Sequence, residues 1–321
     1  MASPSDSRTG CRLTLAAGTE LARWFTMLLA ASLSTSAESL AGEIGAAPTE
    51  LAAFAALERP KPTHALRYGP APAQGIDIFL PSGTGPFPVV VLIHGGCWSD
   101  LPGAGREQLR HLGADLATEG IAAWSIGYRR ADEPGGGYPG TFNDVAEAID
   151  LLRSAAPRWG LDLTRTVVAG HSAGGHLALW AAARSQLPDV SPLARPNPVL
   201  PGAVVSLAGI GDIRAFAPQA SLICGAHIIE RLTDGDEAYA EISPAEMSAP
   251  DVPVVMISGI LDRLVPPFVA DDFARARLSS AIELINIPKA GHFDLIMPGT
   301  PAYATVLRTI HQALSPAPPA G

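Results

Sequence analysis

The stretch Thr166-Val167-Val168-Ala169-Gly170-His171-Ser172-Ala173-Gly174 constrains this chain more than any other. Its first four residues read as a short buried strand, and the alanine-rich segment 176–184 reads as a helix. The GxSxG between them calls for a sharp strand-to-helix turn that lifts a serine hydroxyl above the end of a sheet. Glycines stand on both sides because so tight a turn leaves no space for a Cβ. A hydroxyl presented in this way is a candidate nucleophile, and Ser172 carries it.

The rest of the chain supplies the sheet that such a turn needs. Residues 75–80 alternate like a partly exposed strand, and 88–93 form a continuous β-branched run of the kind buried on both faces. Further strands are expected at 121–126, 203–207, 254–257 and 282–287. Apolar residues at helical spacing lie between them: Leu109, Leu112 and Leu116, then Phe142, Val145, Ile149 and Leu152 behind Thr141 as an N-cap. Helices are also expected at 268–278 and 303–314. Strands alternating with helices give a mostly parallel sheet covered on both faces, an α/β fold. The rhythm breaks over about forty residues near 210–250, where periodicity is weak; a stretch that long is expected to be a lid.

With 321 residues, 47% hydrophobic and 17% charged, the chain can bury one substantial core. The expected organisation is an N-terminal extension over 1–60, one domain over 61–314 with the lid inserted, and a disordered tail over 315–321. A net charge of −9 argues against nucleic acid as a partner. Three cysteines without CxxC spacing and eight histidines without HExxH give no expectation of a metal, and no cofactor is implied. Residues 24–33 form an apolar run, too short for stable membrane insertion. Two readings stay open there. One is a cytoplasmic protein with an N-terminal extension; the other is an exported protein whose residues 1–37 act as a signal peptide, for which Thr35-Ser36-Ala37 resembles the cleavage site.

A nucleophilic serine needs a base, an acid behind the base, and donors for the developing oxyanion. His94-Gly95-Gly96-Cys97-Trp98 follows the first buried strand, so the backbone N–H groups of Gly96 and Cys97, with that of Ala173, are candidate oxyanion donors. His94 itself is read as a ring that braces the turn. The base should lie downstream of the serine, and His292, on a glycine-flanked loop after the last strand, meets that requirement. His176, four residues beyond Ser172, could line the site but is poorly placed to take its proton. Asp262, after the penultimate strand, is the chosen acid, and Asp212 is its competitor. Asp294 stands too close to His292 in sequence to orient it easily.

Together HGGCW, GHSAGGHLA, GILDRLVP and KAGHFDLI, with Tyr68-Gly69-Pro70 and IDIFLP before them, resemble the esterase and lipase-type α/β-hydrolases related to kynurenine formamidase (arylformamidase). The resemblance covers about residues 65–314. It implies the α/β-hydrolase fold, an oxyanion function for Gly95 and Gly96, and Trp98 as a wall of the acyl pocket. The implied activity is hydrolysis of small-molecule carboxylic esters of small acyl groups through an acyl-enzyme. Cleavage of an N-formylkynurenine-type amide is the alternative. A catalytically dead binding module of this fold would lack the serine or the histidine, and this chain keeps both. Cys97 on the turn and Cys224 in the lid should both lie above the C-terminal edge of the sheet. There they either form a disulfide that pins the lid or remain two free thiols.

Overall fold

The structure is a computed structural model that describes residues 47–277 and 282–315. The apolar run at 24–33, Cys11 and most of the C-terminal tail lie outside the described residues. Eight strands form one sheet in the order β1-β2-β4-β3-β5-β6-β7-β8. Their ranges are β1 His64–Arg67, β2 Gly75–Phe79, β3 Phe87–Ile93, β4 Ala122–Ile126, β5 Leu161–His171, β6 Ala203–Leu207, β7 Val254–Gly259 and β8 Ile282–Ile287. The pairs β1–β2 and β2–β4 are antiparallel, and the other neighbours are parallel. This is the mostly parallel, doubly covered sheet of the α/β-hydrolase fold.

β3 and β5 sit at the centre, and Val89 to Ile93 and Val167 to Ala169 are fully buried or nearly so. Strands covered on both faces have no polar side to alternate, so they appear in the sequence as unbroken apolar runs. β5 begins five residues earlier than expected. Its first residues pair with Phe87 and Pro88 before a register shift at Pro88/Val89, and their mixed polarity hid them.

Ten α-helices are described: α1 Leu51–Ala55, α2 Arg110–Thr118, α3 Gly140–Asp150, α4 Leu152–Trp159, α5 Ala173–Ala183, α6 Ile213–Ile223, α7 Ile228–Thr233, α8 Tyr239–Ile242, α9 Phe268–Ala276 and α10 Pro301–Leu314. Thr141 is not the N-cap of α3. It sits in the first turn, where its hydroxyl donates to the Arg129 carbonyl and accepts the Gly137 amide, while Pro139 occupies the cap position.

Residues 210–250 are less irregular than their weak periodicity implied. α6, α7 and α8 form a helical cap, too short singly to show a period and interrupted in α6 by Pro218. The base of the cap closes on itself, since the Ala245 amide donates to the Gly211 carbonyl at 2.8 Å. At the other end of the chain, the compact unit begins at Pro48, upstream of the boundary expected at 61. Phe54 of α1 is buried and stacks on Phe293 at 5.7 Å. No helix among the described residues is long and apolar enough to cross a membrane.

Candidate active site

Ser172 stands between β5 and α5 with φ 56° and ψ −120°, outside the regions that an L-residue adopts freely. Such a conformation persists only where its surroundings over-determine it. Here they do: the Ser172 amide donates to the Leu207 carbonyl of β6 at 2.8 Å. A Cβ on Gly174 would come within 2.0 Å of the Ile93 carbonyl oxygen, so α5 can start this close to β3 only with glycine there. As the first helical residue, Ala173 has no partner for its N–H inside α5, and that amide is free for a ligand.

Opposite the serine runs the turn after β3. Gly96, Cys97 and Trp98 all have positive φ, at 108°, 57° and 51°. Two consecutive non-glycine residues in that region are costly, and the structure holds each by a separate tie. Cys97 is bonded to Cys224 at the end of α6, with Cα atoms 5.3 Å apart, so the bridge rather than two free thiols is present. Trp98 donates its indole N–H to His176 Nδ1 at 3.1 Å.

The amides of Gly96 and Cys97 have no acceptor among the described residues. Gly95 is different. Its N–H donates to Gln108 Oε1 at 2.8 Å, so the oxyanion function implied for it is not available in this geometry.

His292 and Asp262 are brought together, with Nδ1 2.7 Å from Oδ2 and both side chains buried. The other carboxylate oxygen of Asp262 accepts the amides of Leu264 and Val265 at 2.8 and 2.9 Å, which fixes the plane of the acid. Asp212 is elsewhere, capping α6 through the Ala215 amide. Asp294 turns away from the imidazole and accepts the Gly291 amide at 2.7 Å and the Thr49 amide at 3.1 Å.

Three further histidines surround the site, and burial pushes each toward the neutral form. His94 is lowered to about 3; its Nδ1 faces the Gly95 carbonyl at 2.8 Å and its ring stacks on Tyr128 at 4.3 Å. It braces the turn. His176 is lowered to about 4. It receives the Trp98 indole N–H on Nδ1, so Nε2 carries the proton and donates to the Ile242 carbonyl of the cap at 2.7 Å. His171 is lowered well below its ordinary value by burial, with the neighbouring His292 adding to the effect. Its Nε2 lies 3.0 Å from the His292 carbonyl, which makes it a support for the histidine loop that the sequence reading passed over.

These elements enclose a cavity of about 220 Å³, walled by Ser172, His292, Ala173, Gly96, Cys97 and Trp98 together with apolar side chains of the cap and of the Asp262 loop. Among the described residues no group of three His, Cys, Asp or Glu side chains could hold a metal ion.

Comparison with known proteins agrees with this architecture. The BD-FAE family model matches residues 76–276. Esterase LipC of Mycobacterium tuberculosis is 30% identical over 266 residues, which are 77% of this chain and 64% of LipC. Kynurenine formamidase avaC of Aspergillus versicolor is 36% identical over 137 residues, 39% of this chain and 44% of that enzyme. The chain thus spans less than two thirds of the length of these curated relatives. Among solved structures, inhibited esterase B from Lactobacillus rhamnosis superposes with a TM-score of 0.69 at 20% identity, covering 90% of this chain and 96% of its own. With a family model matched across most of the sheet and the serine turn at its centre, the chain belongs to the BD-FAE family and has the α/β-hydrolase fold.

Proposed function

We propose that this protein is a carboxylic ester hydrolase acting through an acyl-enzyme on Ser172. The observation that carries the reading is the 2.7 Å contact of His292 Nδ1 with Asp262, on an imidazole that shares one small cavity with Ser172. In this reading the Nδ1–H is committed to Asp262, which leaves Nε2 free as the base. Ser172 Oγ attacks the ester carbonyl carbon as its proton passes to His292 Nε2. The amides of Gly96, Cys97 and Ala173 stabilise the oxyanion. His292 then returns the proton to the leaving alkoxide oxygen. Water, deprotonated by the same nitrogen, attacks the acyl carbon, and His292 passes that proton to Ser172 Oγ as the acid leaves.

A cavity of about 220 Å³ suits small acyl groups and lies below the usual range for drug-sized ligands. The name of the relative esterase LipC supports ester cleavage. The 36% identity to a kynurenine formamidase keeps a formamide as the alternative substrate. The Cys97–Cys224 bridge supports an exported protein over a cytoplasmic one, because disulfides persist in oxidising compartments; cell fractionation of the native protein tests that reading.

Labelling by a fluorophosphonate probe, with hydrolysis of p-nitrophenyl esters beside N-formylkynurenine, tests the activity. Ser172→Ala should lose both labelling and turnover while keeping its circular dichroism. Labelling that survives in Ser172→Ala refutes the assignment.

A further inference from the structure

The amide of Gln108 is unusual among the polar groups of the cavity wall. Gln108 lies in the one-turn segment Arg106–Leu109, which packs behind the oxyanion turn, and it is 5% exposed. Its Oε1 accepts the Gly95 N–H at 2.8 Å. Because an N–H can be met only by an acceptor, that contact fixes which end of the amide is oxygen and which is nitrogen. The NH2 end has no acceptor among the described residues, and Gln108 contributes to the wall of the same cavity as Ser172. Apart from the backbone amides of the turn and of Ala173, the neighbouring side-chain donors are spent: the Trp98 indole on His176, His176 Nε2 on Ile242, and the Tyr128 hydroxyl on the His94 carbonyl. The amide nitrogen is open to the cavity, where water or a ligand can meet its two donors, and displacing that partner without replacing it costs stability.

We infer that Gln108 is a specificity residue whose NH2 group donates to an oxygen acceptor carried on the acyl part of the substrate. The inference rests on the esterase reading above. Its direction follows from that chemistry: His292 must reach the leaving oxygen to protonate it, so the alcohol part lies toward His292. The acyl part then extends away from it, and in this inference it lies against Gln108, which lines the same cavity as Leu101 and Ala104. The preferred acyl groups are short chains with an ether, hydroxyl or carbonyl oxygen two or three atoms from the ester carbonyl. An all-carbon chain of equal size would displace water from the amide and leave its donors unmet.

The test uses isosteric pairs: p-nitrophenyl methoxyacetate against butyrate, and 3-methoxypropionate against pentanoate. Dividing each kcat/KM by the hydroxide-catalysed rate of the same ester removes intrinsic reactivity. Wild type should favour one of the ether esters by about tenfold, the worth of one such hydrogen bond. Gln108→Met should abolish that preference, mainly through KM. Gln108→Glu, assayed at mildly alkaline pH, keeps an acceptor for Gly95 but has no donor, and should also abolish it.

A wild type with no preference for either ether ester overturns the inference without any variant being needed. So does a pair of variants that lose kcat equally on ether and alkyl esters, since that pattern means Gln108 only holds the turn. A wild type that hydrolyses none of the esters refutes the esterase reading and this inference with it.

Discussion

The carboxylate of Asp294 is held by Thr49, from the far end of the chain, and not by His292 two residues away. Thr49 gives it both a backbone amide, at 3.1 Å, and its hydroxyl, while Gly291 adds a second amide at 2.7 Å. The histidine loop is therefore shaped by one carboxylate and its imidazole oriented by another, Asp262. These roles separate in mutants. Asp262→Asn should lower kcat by about 10³- to 10⁴-fold with an unchanged melting temperature, because the wrong tautomer is favoured. Asp294→Asn should lower stability by about 1–3 kcal/mol and kcat far less. Asp212→Asn should leave kcat within a few fold, having loosened only a helix cap. Steady-state kinetics with thermal melts check all three, and a larger kcat loss in Asp294→Asn would reverse the assignment.

Cysteine chemistry gives a second outcome. Denatured, unreduced protein should titrate at most one thiol, that of Cys11, because Cys97 and Cys224 are joined. Cys224→Ser should lower unfolding free energy by about 2–4 kcal/mol, and should raise KM or lower kcat as the turn that carries the Cys97 amide loosens. Two or three titratable thiols would contradict the bridge.

The buried histidines set the pH response of stability. His94, His176 and His171 are all depressed below the ordinary 6.5, the first two to about 3 and about 4. Below pH 6.5 the unfolded chain takes up protons that the folded protein refuses. Their contribution is therefore fully present above 6.5 and is lost as pH falls toward 4 and 3. Each histidine gives a slope of up to about 1.4 kcal/mol per pH unit in that window. Urea unfolding at pH 7 and pH 5 should show the decline, and His176→Asn should flatten it. An unchanged midpoint between the two pH values would count against neutral burial.

Trp98 should set acyl length. Its indole is 1% exposed, lines the cavity and is tied to His176. Wild type should turn over acetyl to butyryl esters best, and Trp98→Ala should move the optimum to longer chains, at a cost of about 3–5 kcal/mol in stability. Trp98→Phe, a milder change, should give a smaller shift. A wild-type optimum at decanoyl or longer, or an unchanged Trp98→Ala profile, would move the control of length to the cap.

Some of this was legible in the sequence because it is local. The buried strands are apolar runs, and the serine turn needs glycines that no neighbouring residue can hide. His292 and Asp262 follow strands that the periodicity had already located, so their meeting needed only the order of the sheet. What escaped depends on contacts between distant segments. Nothing near Gln108 reveals that its oxygen meets Gly95, which removes Gly95 from the oxyanion donors. Thr49 reads as part of an extension until the fold carries it to Asp294, 245 residues later. The cap escaped for a different reason: helices as short as Tyr239–Ile242 complete too few turns to display a period.

The cap is fastened at several points. Cys224 ties the end of α6 to the turn, the Ile242 and Glu241 carbonyls receive the ring N–H groups of His176 and Trp180, and Ala245 closes on Gly211. A roof stapled along both eaves cannot swing open as one piece. Enzymes whose lids do swing show a jump in rate when their substrate passes from dissolved molecules to droplets. Here the same turnover curve should run smoothly through the critical micelle concentration, and access should be governed by side-chain breathing at the cavity mouth.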